Sequence, residues 1–146
     1  MKKIIVMAAA FVALVSCSAD NDVHEFQLDF VPVVAVEAPE FVTPGLTSEF
    51  KLYYKRPNDC YYINGFDYEA AGNVRTVAVQ AIVLQDSDCV SMETAAAESI
   101  IMPFQCPPNY SQESYVFRFY GNPDGTMNGA PNGESSYIQI EVPVAQ

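Results

Sequence analysis

Histidine is nearly missing from this chain, tryptophan is missing altogether, and basic residues are scarce. The 146 residues hold one His, no Trp, and seven Lys and Arg against eighteen Asp and Glu. A single imidazole removes most metal sites and most proton-transfer machinery. The formal charge of −11 argues against a nucleic-acid partner, because polyphosphate would be repelled. There is no Gly-x-Ser-x-Gly elbow, no His-x-x-x-His pair and no phosphate-cradling glycine loop. The lone His24 falls between an acidic N-terminal stretch and the first strand, as a surface residue without a role. Helical periodicity is nearly absent, no internal repeat stands out, and no run of like charge exceeds a few residues. No enzyme activity, metal or cofactor is expected.

What is present is a globular composition, 50% apolar and 17% charged, of a length that suits one domain. Lys2 and Lys3 precede an unbroken apolar run of 12 residues, Ile4 to Val15. As a helix that run would span about 18 Å, well short of a ~30 Å hydrocarbon core. Its length and flanks make it a cleaved secretion signal rather than a membrane span.

Leu14-Val15-Ser16-Cys17 resembles a bacterial lipobox. The resemblance implies cleavage before Cys17, lipidation of its sulfur and acylation of the new amine, which together give stable anchoring. Residues 1–16 are then the signal, 17–23 the lipidated cysteine with an acidic tether, and 24–146 the domain. Removal of 16 residues and two lysines leaves 130 residues with a charge of −13, which does not adhere to anionic headgroups. Ser18-Ala19-Asp20-Asn21-Asp22 resembles the surface-export signal of Bacteroidota lipoproteins, with a plain solvated tether as the other reading.

The remainder alternates. Phe26, Leu28 and Phe30 alternate in a first segment that runs to about Glu37, before Pro39 and Pro44-Gly45 break it. Phe50, Leu52 and Tyr54 alternate against Glu49, Lys51, Tyr53 and Lys55, the pattern of a half-buried strand. Ile63 to Glu69 and Val74 to Leu84 flank Ala70-Ala71-Gly72-Asn73, a hairpin turn in which Gly and Asn supply positive φ. Ile100 to Gln105, Tyr115 to Tyr120 and Tyr137 to Val142 complete about seven strands, which suggests an all-β sandwich. Met92 to Glu98, with Ala95-Ala96-Ala97, is read as one helical turn in a connection, and Gly121 to Glu134 as a long loop.

Ser114-Tyr115-Val116-Phe117-Arg118-Phe119-Tyr120 resembles strand F of immunoglobulin-like domains, with Tyr137 to Val144 as a closing strand G. The missing tryptophan points to a bacterial immunoglobulin-like or fibronectin-like antiparallel variant. The resemblance implies that Tyr115 is a corner tyrosine whose hydroxyl ties back to the preceding loop.

With Cys17 spent on lipid, Cys60, Cys89 and Cys106 remain in an oxidising compartment, and loop entropy does not choose among their three pairings. Strand direction does, if sequential strands reverse as in that fold. Cys60 and Cys89 then meet at one end of the sandwich, and Cys106 stays a free thiol at the other. Arg56 to Cys60, Gln85 to Glu98 and Gly121 to Glu134 gather at the disulfide end, close to the tether.

Candidate binding residues lie near those loops: Tyr61, Tyr62, Tyr120, Asn122 and Asp124. Tyrosine gives large contact area at low entropic cost, although alternate tyrosines also fill cores. Asp86, Asp88, Asn122, Asp124 and Asn128 supply oxygen atoms suited to calcium but match no established loop, so turn chemistry is preferred. Asp67 and Glu69 share one strand face about 7 Å apart, and are read as a solvated face rather than a glycosidase pair.

The chain resembles the small Bacteroidota outer-membrane lipoproteins. The resemblance implies a lipid-anchored, non-enzymatic accessory module, outer-membrane and monomeric as a soluble domain, that docks against another envelope protein. The alternative is a surface-exposed binding module for a host protein or glycan.

Overall fold

Period-two alternation makes the strands, and a computed structural model of the protein shows how they pair; it describes residues 26–85, 88–121 and 136–145. Eight strands form: β1 (Phe26–Val31), β2 (Val33–Glu37), β3 (Thr47–Tyr54), β4 (Tyr61–Ala71), β5 (Val74–Leu84), β6 (Glu98–Gln105), β7 (Ser114–Tyr120) and β8 (Tyr137–Pro143). There is no helix among the described residues. The connection after β5 has one turn, closed by Ala95 N–H donating to Met92 O at 2.9 Å.

The strands make a five-stranded sheet of β4, β5, β1, β7 and β8 and a three-stranded sheet ordered β2–β3–β6. The first expected strand is therefore two. Pro32 donates no hydrogen bond, and at that residue the chain leaves β5 of the larger sheet for β3 of the smaller one. Every sequential strand from β3 to β8 reverses direction, as expected.

The sandwich is not antiparallel throughout. In an immunoglobulin-like domain the first strand of the hairpin would lie beside strand F. Here it is the second, β5, which lies beside β7, and that pair is parallel: Val74, Arg75, Thr76 and Val77 face Val116, Phe117, Arg118 and Phe119. Composition explains the choice. β5 is nearly all apolar and suits an interior position, whereas β4 carries Asn64, Gly65, Asp67 and Glu69 and suits an edge.

Val77, Val79, Ala81, Phe117 and Phe119 of the larger sheet pack against Phe50, Leu52, Met102 and Phe104 of the smaller. Phe50 lies 4.4 Å from Phe117 between ring centroids, and Phe104 stands edge-on to Phe117 at 5.0 Å. Burying such rings is worth about 1.5–3 kcal/mol each, and this shared core holds the two layers together.

Two details fix the layers. At the end of β7, Gly121 bridges to Val33, so closely that a Cβ there would lie 2.0 Å from the Val33 carbonyl oxygen. At the opposite end of the sandwich, Arg75 donates to the carbonyls of Gly72 and Val74 and lies over the Tyr115 ring at 4.8 Å. Tyr115 is fully buried and stacks on Tyr110 at 4.0 Å. Its hydroxyl does reach the preceding connection, but the partner is the Cys106 sulfur at 3.9 Å rather than backbone. Burial, then the adjacent thiol, pushes the Tyr115 phenol far above its ordinary range.

Candidate functional site

The two sheets turn very different faces outward. On β3 and its neighbours, Glu37, Glu49, Lys51 and Tyr53 point away from the core. The Tyr53 hydroxyl donates to Glu37, and the Lys51 ammonium lies 4.9 Å over the Tyr53 ring. Tyr53 and Glu37 together hold Lys51 above its usual pKa. Glu37, Tyr53 and Lys51 thus engage one another, Glu49 has no hydrogen-bond or ion-pair partner among the described residues, and Ile101, opposite Lys51, is the one large apolar side chain exposed beside them.

The five-stranded sheet is the opposite. Antiparallel register puts Phe26 opposite Leu84, Leu28 opposite Ile82 and Phe30 opposite Gln80, while Val31 and Val79 are both fully buried. Phe26, Leu28 and Phe30 therefore point outward, with exposures of 66%, 55% and 42%. The alternation expected of the first segment is real, but its apolar side faces away from the core. Tyr62, opposite Ile82 on β4, joins the same face and is 54% exposed.

Below this stripe the face opens into a cleft of about 290 Å³, lined by Phe30, Asp67, Glu69, Thr76, Ala78, Tyr120 and Tyr137. The cleft follows from the topology. β1 and β7 share one edge of β5 in tandem, β1 along Val79–Leu84 and β7 along Val74–Val77, and the small Ala78 sits at their junction. The wall on the β7 side is aromatic. Phe30 lies 6.1 Å from Tyr120, and Tyr120 lies 6.4 Å from Tyr137. The wall on the β4 side carries Asp67, opposite Ala78, and Glu69, opposite Thr76.

The expected binding tyrosines are thus divided. Tyr62 and Tyr120 share the outer face. Tyr61 is on the inner side of β4, packed against the core, and donates to Asp29 Oδ2 at 3.0 Å. Burial, then Asp29, raises its pKa. Asn122 and Asp124 lie outside the described residues, as do Cys17, His24, Asp86 and Asn128. Phe26, Leu28, Phe30 and Tyr137 were not singled out as surface residues. The available signal was the parity of β1: Val31 and Val33, not Phe30, continue into the core.

The disulfide forms as expected, Cys60 to Cys89 with Cα atoms 5.6 Å apart, and Cys106 is a buried free thiol. Asp59 stands close enough to both cysteines for a three-atom ligand set, but joined sulfurs are not thiolate ligands. The Asp59 carboxylate instead accepts from Val90 N–H at 2.8 Å, and Met92 N–H donates to Pro57 O at 2.9 Å. Beside them Arg56 pairs with Glu98 at 2.7 Å and donates to Tyr61 O. The connections Arg56 to Cys60 and Asp88 to Met92 therefore pair with each other at one end.

The described residues thus carry a shared core, a pinned loop end, one mostly polar outer face and one largely apolar face with an acidic cleft. Comparison with protein-family models, curated proteins and solved structures finds no match for the chain.

Proposed function

We propose that this protein is a lipid-anchored, non-enzymatic accessory module of the cell envelope that docks onto a protein in the same membrane. One observation carries the reading: the exposed Phe26–Leu28–Phe30 stripe, joined by Tyr62, on the first described strand. Contiguous exposed apolar area of this kind marks interaction surfaces, and aromatic residues are enriched at their centres. The lipobox-like Leu14-Val15-Ser16-Cys17 places the lipid only a few residues before that strand. A partner in the membrane is then within reach, and a distant ligand is less so.

An immunoglobulin-like identity is supported by the β2–β3–β6 order and by the Tyr115 hydroxyl. The parallel β5–β7 pair makes it a variant of that arrangement. A surface-exposed binding module is the second reading, supported by Tyr62 and Tyr120 on one outer face and by the acidic stretch after Cys17.

A photo-crosslinking residue placed at Leu28, and separately at Ile101 on the smaller sheet, tests the first reading in intact cells. One discrete protein adduct is expected from Leu28, lost on Phe26→Ser/Phe30→Ser, and none from Ile101. Lipid adducts alone, or equal adducts from both faces, would overturn it. Protease shaving of intact against lysed cells separates the readings: protection until lysis ends the external one.

A further inference from the structure

We infer that the cleft between Asp67 and Glu69 on one side and Phe30, Tyr120 and Tyr137 on the other takes an alkyl ammonium or guanidinium group. The occupant is a lysine or arginine side chain of the docked partner, because Phe30 joins the cleft to the exposed Phe26–Leu28–Phe30 stripe. The inference rests on the outer face being a docking surface, and it names what that surface recognises.

The lining supports it. The charged groups of the cleft are both carboxylates, and neither has a hydrogen-bond or ion-pair partner among the described residues. The opposite wall is a run of three rings, whose negative faces attract cations within about 6 Å. β4 and β7 flank β5, so the two walls stand two strand spacings apart, about 10 Å. A cation above Ala78 would therefore lie roughly 5 Å from each wall, within reach of both. An alkyl stem behind that cation would run along Phe30 toward the apolar stripe. Arg118, opposite Thr76 on this face, does not line the cleft, and its Nε donates to Gln139 Oε1 at 3.0 Å. The surplus of eighteen acidic over seven basic residues draws cations to the whole surface, so the test needs a distant carboxylate as control.

The full-length protein in detergent micelles is titrated with Nα-acetyllysine amide while the ring protons of Tyr120 and Tyr137 are followed by NMR. Saturable shifts are expected, and none with the Nε-acetylated analogue. Asp67→Asn/Glu69→Gln should weaken binding by about tenfold with no change in melting temperature, since charge-assisted contacts are worth that much. Glu49→Gln, on the other outer face, should not change it. Equal shifts from the acetylated analogue or from methyl glucoside would overturn the inference, as would equal weakening by Glu49→Gln. Acetyl-Ala-Lys-Ala-amide binding at least as tightly as spermidine is expected; spermidine binding more tightly would overturn the assignment to a partner side chain. A Leu28 adduct that persists in a protein unable to bind the lysine probe would sink this inference and leave the docking reading intact.

Discussion

The outer face of the three-stranded sheet and the outer face of the five-stranded sheet are built from the same kind of alternating strand, yet they treat polar groups in opposite ways. On the smaller sheet Glu37, Tyr53 and Lys51 satisfy one another. On the larger, Phe26, Leu28, Phe30 and Tyr62 stand exposed, and Asp67 and Glu69 stand unpaired among the described residues. Both sheets draw on one core, so the difference is not imposed by folding. A face left apolar, with unpaired charges beside it, is the face on which the proposed docking rests.

Four measurements test that contrast. The largest effect is expected from Cys60→Ser/Cys89→Ser. The bridge closes a 29-residue separation, for which the chain-entropy estimate is roughly 3.7 kcal/mol. The loss should fall unevenly, and hydrogen exchange reads it. Amides near Tyr61 and Leu84 should lose protection first, while the β3–β6 pairs hold until global unfolding. Equal losses in both sheets would mean that the disulfide stabilises the whole sandwich and not mainly the five-stranded sheet.

Next comes the joint between the sheets. Gly121→Ala forces a Cβ against backbone, not against a yielding side chain, and should cost about 1–3 kcal/mol by urea denaturation. An unchanged midpoint would show that the two layers are not locked at that bridge.

Alkaline pH should follow. The phenols of Tyr54, Tyr61, Tyr68, Tyr110 and Tyr115 are all raised, chiefly by burial. A raised folded-state pKa contributes stability that is complete below the unfolded value of about 10 and is lost as pH climbs through the folded values. Melting temperature should therefore be flat up to about pH 9.5 and fall beyond it, with tyrosinate absorbance rising together with unfolding. Tyr115→Phe should flatten part of that fall. Early, unfolding-independent titration of every tyrosine would contradict the buried cluster around Arg75 and Cys106.

Smallest are the surface exchanges. Lys51→Ala and Phe26→Ser should each move stability by no more than about 0.5 kcal/mol. They should differ in everything else. Phe26→Ser should lower partner adducts, and Lys51→Ala should leave them unchanged.

Much of this was legible in the chain. The strands come from simple alternation, and β3 with Phe50, Leu52 and Tyr54 buried is the clearest case. The disulfide follows from strand direction, which held even though the sheet order did not. Three features needed coordinates. Alternation gives the parity of a strand but not which side is core, so Phe26, Leu28 and Phe30 could not be placed outward from their own segment. A strand of six residues can pair with one sheet and its continuation with another, and only Pro32 marks the change. The cleft depends on β1 and β7 meeting end to end along β5, a long-range pairing that no local pattern records. Of the candidate tyrosines, Tyr62 and Tyr120 belong to the face and Tyr61 does not, because adjacent residues on a strand point to opposite sides.

The passage of the chain from one sheet to the other at Pro32 also decides how the domain answers force. A pull on Phe26 directed across the sheet loads the β1–β5 pair from its Phe26–Leu84 end, so its hydrogen bonds open one after another. Only Val31 of that strand is buried, and little resists the peeling before it. Six residues of β1 then pay out as slack of about 20 Å. At Pro32 the geometry changes, and the load passes to β2 in the other layer. A force that peels β1 away across the sheet therefore meets the buried core only from Val31 onward.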